Sequence, residues 1–148
     1  MIFAIYDVKL TFLSMNKALV ITMLSFIVLP LSAQVNRNDA NNAFVPISKY
    51  ILAGDSSSLS AWFADNLEVT IMGNVNECSK VQARQIMKTF FADYTPKKFE
   101  ITHTSGRPPI SYAVGTLHAG GAKFRVTIRV RTKEGEGSLI QQIKIDRE

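Results

Sequence analysis

Residues 79–94 read SKVQARQIMKTFFADY, and this stretch decides the fold. It begins with a capping-box pair, Ser79 and Gln82, which predicts the start of a helix. One face of this predicted helix carries the basic residues Lys80, Arg84 and Lys88 and is expected to lie in solvent. Apolar residues recur at spacings of three and four, which is typical of a helix with one buried face; they are Ala83, Ile86, Met87, Phe90, Phe91 and Tyr94.

The chain after this helix predicts four β-strands. The clearest is 123–131, where apolar side chains alternate with basic and polar ones. Turn sequences separate the segments, including Gly120-Gly121, a strong hairpin signal. Because the connections are short, we expect the strands to be sequential neighbours in an antiparallel meander. The four predicted strands are 99–104, 110–118, 123–131 and 139–145.

Two helices and one strand are predicted before the central helix. The first helix covers 43–52, and the second follows Asp55, with Leu59, Trp62 and Phe63 as its buried side. A strand is predicted over 67–72, followed by a turn over 73–78. This order predicts an α+β fold in which helices pack on one curved, mostly antiparallel sheet.

The N-terminal part predicts an export signal. From Met15 the chain reads MNKALVITMLSFIVLPLSAQ, with a positive Lys17, a weakly polar-to-apolar run of 12 residues and small residues at Ser32-Ala33. A membrane-spanning helix needs about 20 apolar residues. We therefore predict a cleaved signal over 1–33 with a true start at Met15. We expect the product to be periplasmic or secreted, without stable membrane insertion.

The remaining chain is predicted to be a short flexible lead-in, 34–42, and a single domain, 43–148. The net charge of the whole sequence is +5, and an exported, mildly basic domain does not indicate a nucleic-acid partner. Cys78 is the one cysteine, which excludes an intrachain disulfide and is expected to act as a small buried apolar group. Two separated histidines predict no metal site, and no phosphate-binding loop or other cofactor motif is present.

The run CSKVQARQIMKTFFADYTPKKFEITHTSG resembles a family of small secreted bacterial proteins, domain of unknown function 4783. That family belongs to the nuclear-transport-factor-2-like, or cystatin-like, superfamily. An aromatic residue is common in the family where this chain has Cys78. The resemblance covers about 44–146 and implies a cone-shaped fold without an assigned activity. The matching residues are Gly54, Asp55, Ser79, Lys80, Gln82, Ala83, Phe90, Phe91, Pro96, Phe99, Ile101, His103 and Gln142 to Ile145.

The resemblance implies a hollow between the sheet and the helices, a common ligand site in the superfamily. Strand alternation places His103 on the same face as Phe99 and Ile101. Tyr112 lies on a face of the next strand, and Gln141 falls among apolar residues of the last strand. Polar groups on an apolar face are either paired in a filled core or used to orient a ligand. The candidate pocket residues are Trp62, His103, Tyr112 and Gln141.

No catalytic constellation is apparent, because Glu68, Glu100 and Asp146 all alternate outward. The leading hypothesis is therefore non-enzymatic binding of a small ligand or a protein partner in or around the hollow. One alternative is a small isomerase, cyclase or hydratase that uses His103 as its acid or base. Another is a structural or interaction protein that uses an outer face of arginines, on which a homodimer is one option. That arginine row consists of Arg125, Arg129 and Arg131.

Overall fold

The computed structural model describes residues 39–148, with side chains from Asn42 onward. The predicted signal peptide and residues 34–38 of the predicted lead-in lie outside these residues. Within the described part of the chain, no helix is long and apolar enough to cross a membrane.

Three helices and six strands make up residues 39–148. The helices are α1 (Asp39–Ala53), α2 (Ser56–Ser60) and α3 (Lys80–Asp93). The strands are β1 (Phe63–Ile71), β2 (Asn74–Ser79), β3 (Pro96–Arg107), β4 (Ile110–Ala119), β5 (Ala122–Lys133) and β6 (Gly137–Arg147).

The strands form one sheet in the spatial order β2-β1-β6-β5-β4-β3. Strands β3 to β6 are the predicted antiparallel meander. The β1–β2 hairpin adds to this meander through a parallel pairing of β1 with β6. The α+β class and the curved sheet with helices are thereby confirmed. Strands β2 and β3 are the two edges of the sheet.

The helices pack on one face of the sheet, here called the inner face. The capping box at Ser79 and Gln82 forms as predicted, with the Ser79 Oγ accepting from the Gln82 N–H and the Gln82 Oε1 accepting from the Ser79 N–H. Phe124 of β5 packs edge-on against Phe90 and Tyr94, with ring centroids 5.4 and 4.9 Å apart. The centre of the predicted hollow is filled by such side chains. Those with at most 1% exposure are Ile47, Ile51, Leu59, Phe63, Val69, Ala83, Met87, Ala113, Leu117, Ala119, Phe124, Val126, Ile128, Val130, Ile140, Ile143 and Ile145.

The structure corrects three boundaries and agrees with a fourth. Residues 73–78 do not form only a turn, because β2 occupies 74–79 and the turn is just Met72-Gly73. Strand β1 begins at Phe63, within the segment assigned to the second helix. Helix α1 begins at Asp39, so that residues 39–42 of the predicted lead-in are helical and Pro46 lies inside the helix. The first helix ends as predicted before Gly54, whose φ of +65° suits glycine.

Two β-bulges change which face later residues occupy. The register of β3 against β4 changes between Ile101 and His103. Thr102 is therefore an extra residue, and His103 pairs with Val114 on the outer face. The prediction that His103 faces inward with Phe99 and Ile101 is therefore wrong. A second bulge leaves Gln141 unpaired between Ile140 and Gln142. Strict alternation fails at both places because one inserted residue reverses the face of everything that follows.

Candidate functional site

A groove lies between the β1–β2 hairpin and α3, where the inner face is not completely covered. Since α3 starts directly after β2, the helix runs back alongside that strand and leaves a gap of about 330 Å³. We call it the hairpin groove. It is lined by Ile71, Met72, Asn74 and Asn76 from the hairpin and by Gln85, Ile86, Thr89, Phe90, Asp93 and Tyr94 from the helix and its C-cap.

Met72 lies at the lip of the hairpin groove in a strained backbone conformation. Its φ is +47° and that of Gly73 is +85°, which makes a two-residue turn with both central residues left-handed. Such turns favour Asn-Gly or Gly-Gly, and a left-handed conformation costs an ordinary L-residue roughly 1–2 kcal/mol. The Met72 N–H donates to the Ile145 carbonyl at 2.7 Å, which anchors the turn to β6. A flexible apolar side chain, 41% exposed, is thus held beside the groove at an energetic cost.

The walls of the hairpin groove combine apolar and amide groups. The amide nitrogen of Asn76 lies 3.4 Å from the carbonyls of Val69 and Asn74, at the weak end of hydrogen bonding. Asp93 takes part in none of the ion pairs found within residues 42–148. The groove therefore offers apolar surface, at most weakly bonded amides and one uncompensated carboxylate to a ligand.

A second, more polar depression lies where β1 bows away from β6. Five steps along β1, from Phe63 to Glu68, match only two along β6, from Ile140 to Gln142. The resulting bulge pocket has a volume of about 540 Å³. Its lining residues are Asn66, Leu67, Glu68, Glu77, Cys78, Ser79, Gln82, Arg129 and Gln141.

Of the charged groups in the bulge pocket, Glu68 is held by hydrogen bonds, whereas Glu77 and Arg129 take part in none of the ion pairs within residues 42–148. The Glu68 carboxylate accepts hydrogen bonds from the Gln142 amide and from the Thr70 hydroxyl. Arg129 on β5 lies opposite Gln142 on β6. The Nε of Arg129 is buried without a hydrogen-bond partner among the described residues. Burial raises the pKa of the Cys78 thiol, whose Sγ lies 3.7 Å from the Leu67 carbonyl. The thiolate fraction at neutral pH is therefore below that of a free cysteine, which disfavours nucleophilic attack.

The chain matches the family model "Domain of unknown function (DUF4783)" over residues 44–146. The chain belongs to the DUF4783 family. The comparison with curated proteins found no match.

Solved structures of DUF4783 proteins share this fold. A DUF4783 protein from Bacteroides uniformis is 23% identical, with a TM-score of 0.67 over 70% of this chain and 95% of that one. One from Bacteroides ovatus is 27% identical, with a TM-score of 0.66 over 70% and 93%. A proposed dehydratase of the NTF2-like family from Streptomyces avermitilis is 14% identical, with a TM-score of 0.62 over 79% and 99%. The last likeness concerns the fold alone.

The DUF4783 domain does not bring the four predicted pocket residues together. His103 and Tyr112 lie exposed on the outer face, in different rows of the sheet. Trp62 is half-buried against the core, and its carbonyl accepts the Ile140 N–H at 2.6 Å. Gln141 lines the bulge pocket. None of the four lines the hairpin groove.

The predicted arginine row lies on the outer face of the DUF4783 sheet, where acidic side chains compensate part of its positive charge. Arg125 lies opposite Asp146 and forms an ion pair with Glu148 at 3.2 Å. A hydrogen bond from Lys123 is the main cause that lowers the pKa of Glu148. Glu68, Glu100 and Asp146 all lie on this outer face, as predicted. Within residues 42–148, no group of three or more histidine, cysteine, aspartate or glutamate side chains is arranged to hold a metal ion.

Sequence reasoning missed the groove residues because it missed β2. The six residues of β2 show no alternation of apolar and polar side chains, since most of the strand is exposed. The usable signal was Gly73 between two short segments, but Met72 replaces the asparagine that normally accompanies glycine in such a turn.

Proposed function

We propose that this domain is a binding module that takes an amphipathic ligand in the hairpin groove and performs no chemistry on it. The observation that carries the proposal is Met72, an exposed apolar side chain at a left-handed turn position. Asparagine or glycine normally occupies such a position. Backbone strain that local structure does not require is a feature of binding sites. Methionine is also the apolar residue that adapts most easily to varied partners.

The groove has the size and the mixture of groups that a small ligand needs. Its volume of about 330 Å³ lies at the lower end of the range of roughly 300–1,000 Å³ that ligand sites occupy. The apolar part of the ligand would contact Met72, Ile86 and Phe90. A cationic or hydrogen-bonding group would reach Asp93 and the neighbouring amides. Export through the predicted signal, which is part of the proposal, would place this groove in the periplasm or outside the cell.

The enzyme alternative receives little support from the geometry. His103 is exposed on the outer face and takes part in none of the ion pairs within residues 42–148. A general base needs a reacting group within hydrogen-bond reach, and no concave site surrounds this histidine in the pockets described above. We therefore favour binding over catalysis.

Methionine methyl NMR tests the proposal directly. The protein is labelled with 13C-methyl methionine and titrated with a library of small amphipathic fragments. Met72 lines the groove, whereas Met87 is fully buried and serves as an internal control. We expect groove-binding fragments to shift the Met72 signal and to leave Met87 unchanged.

A blocking variant makes the test specific. Thr89→Arg places a long cationic side chain in the groove and is expected to weaken fragment binding at least tenfold. Lys88→Arg, at the neighbouring exposed position, is the matched control and should bind as the original protein does. Fragments that bind the Thr89→Arg protein with unchanged affinity would show that the groove is not the site.

A further inference from the structure

Strand β2 presents an open edge directly beside the hairpin groove. Its pairing with β1 is continuous over six residues, without a bulge, from Asn74 opposite Ile71 to Ser79 opposite Asn66. No backbone hydrogen bond on the side away from β1 involves β2 in the described part of the chain. The edge is therefore a regular template for a further strand.

The register identifies which backbone groups of β2 point outward. Ile71 and Asn74 flank a two-residue turn and form a hydrogen-bonded pair, so hydrogen-bonded pairs recur at every second residue. Residues 74, 76 and 78 thus point their backbone groups at β1, and residues 75, 77 and 79 point theirs away. The Ser79 N–H confirms this alternation, because it donates to the Gln82 side chain instead of to β1. The N–H and C=O groups of Val75 and Glu77 remain for a partner.

We infer that the partner is an extended polypeptide segment that adds to β2 as a seventh strand. This inference rests on the proposed function and names the occupant of the same groove. A strand paired with Val75 and Glu77 would point alternate side chains past Asn74 and Asn76 into the groove, as strand-addition complexes do.

The chemistry of the site favours a peptide with apolar and basic residues. The lining amides of Asn74, Asn76 and Gln85 can both donate to and accept from peptide groups. Glu77 on the edge and Asp93 in the groove take part in none of the ion pairs within residues 42–148. The groove lining includes no lysine or arginine. The segment that fits is therefore extended, with apolar residues alternating with lysine, arginine or small polar residues.

The experiment uses protein purified from the full-length sequence. The probes are synthetic, end-capped eight-residue peptides in which valine or leucine alternates with lysine, threonine or serine. Scrambled peptides of the same composition are the peptide controls. Affinity is measured by fluorescence anisotropy, and amide hydrogen exchange is followed by NMR. We expect the alternating peptides to bind and to slow exchange of the Val75 and Glu77 amides.

Proline variants test the backbone contact itself. Glu77→Pro removes an outward N–H without touching the ladder with β1, and should weaken peptide binding at least tenfold. Glu77→Ala removes the same side chain but keeps the N–H, and should bind the peptides several-fold more tightly than Glu77→Pro does. Val75→Pro provides a second proline variant. An unchanged Met87 methyl signal verifies that each variant is folded.

Each outcome separates this inference from the proposed function. Equal binding to the Glu77→Pro protein, unprotected Val75 and Glu77 amides, or no binding by any peptide would overturn strand addition. Fragment-induced shifts of Met72 would still support the groove in those cases. A concentration-dependent dimer that Glu77→Pro abolishes would overturn the peptide in favour of a second copy of this chain. Peptide binding at β2 without any fragment binding would leave strand addition supported and contradict a small-ligand groove.

Discussion

The two edges of the sheet are built differently. Strand β3 has register shifts between Pro96 and Lys98 and between Ile101 and His103, and Lys97 and Lys98 lie exposed along it. Bulges and edge lysines are the devices by which proteins prevent a further strand from adding. Strand β2 has neither a bulge nor a lysine within its pairing with β1.

The edges also differ in how firmly they are attached. Phe99 of β3 is 8% exposed and lies directly over Gly115, where an added Cβ would come within 2.7 Å of its ring. The inner-face residues of β2 are Asn74, Asn76 and Cys78, none of which is fully buried. The sheet is thus closed and anchored at one edge and open and lightly held at the other, which is the edge that borders the groove.

The largest expected difference between the two edges is in how much stability is lost when a residue that attaches each edge strand is replaced. We expect Phe99→Ala to lower the free energy of unfolding by about 3–5 kcal/mol, because a large ring leaves the core. Asn76→Ala on the opposite edge should cost no more than about 1 kcal/mol, since its hydrogen bonds are long. Urea denaturation of both proteins measures the difference. Equal losses would mean that the two edges are anchored alike.

The protein should become more stable when the turn before β2 carries a residue that suits its left-handed conformation. Met72→Asn is expected to raise the free energy of unfolding by about 1 kcal/mol, because asparagine tolerates the left-handed conformation. The same change should weaken fragment binding in the groove. Met72→Leu keeps the strain and the apolar side chain, so that both quantities should stay near their original values. A loss of stability in Met72→Asn would show that the methionine is held by packing and not for binding.

The smallest effect concerns the thiol of β2. Burial raises the pKa of Cys78, so its thiolate fraction at neutral pH is below that of a free cysteine. We expect several-fold slower alkylation by iodoacetamide than for glutathione at pH 7.5. The rate should increase as the pH rises toward the raised pKa. Mass spectrometry follows the reaction at this one cysteine. A rate above that of glutathione would contradict the protonated state.

The helical and meander parts of the fold could be predicted because their signals are local. Ser79 with Gln82 specifies a helix start within four residues, and the alternation through Phe124 to Val130 specifies a strand and its buried face. The groove could not be predicted in this way. Its edge strand buries little, so the sequence of β2 has no alternation to display.

The candidate pocket residues are not brought together, and the reason is different. Alternation assigned His103 to the inner face, but the inserted Thr102 reverses the face of the residues beyond it. A bulge depends on how β3 pairs with β4, and nothing within β3 alone marks it. The same holds for Gln141, which lies at the bulge of β6 against β5.

The sequence by itself determined the amphipathic helix, the meander and the family. These could be predicted because periodic burial and helix capping depend on residues that are close along the chain. Only the tertiary structure decided that β1 joins β6 in parallel, that β2 becomes an open edge, and that Met72 stands beside a groove. The parallel pairing joins residues about 70 positions apart, as between Glu68 and Gln142, and it carries the β1–β2 hairpin to the edge of the sheet. Its register is set by the packing of the whole sheet.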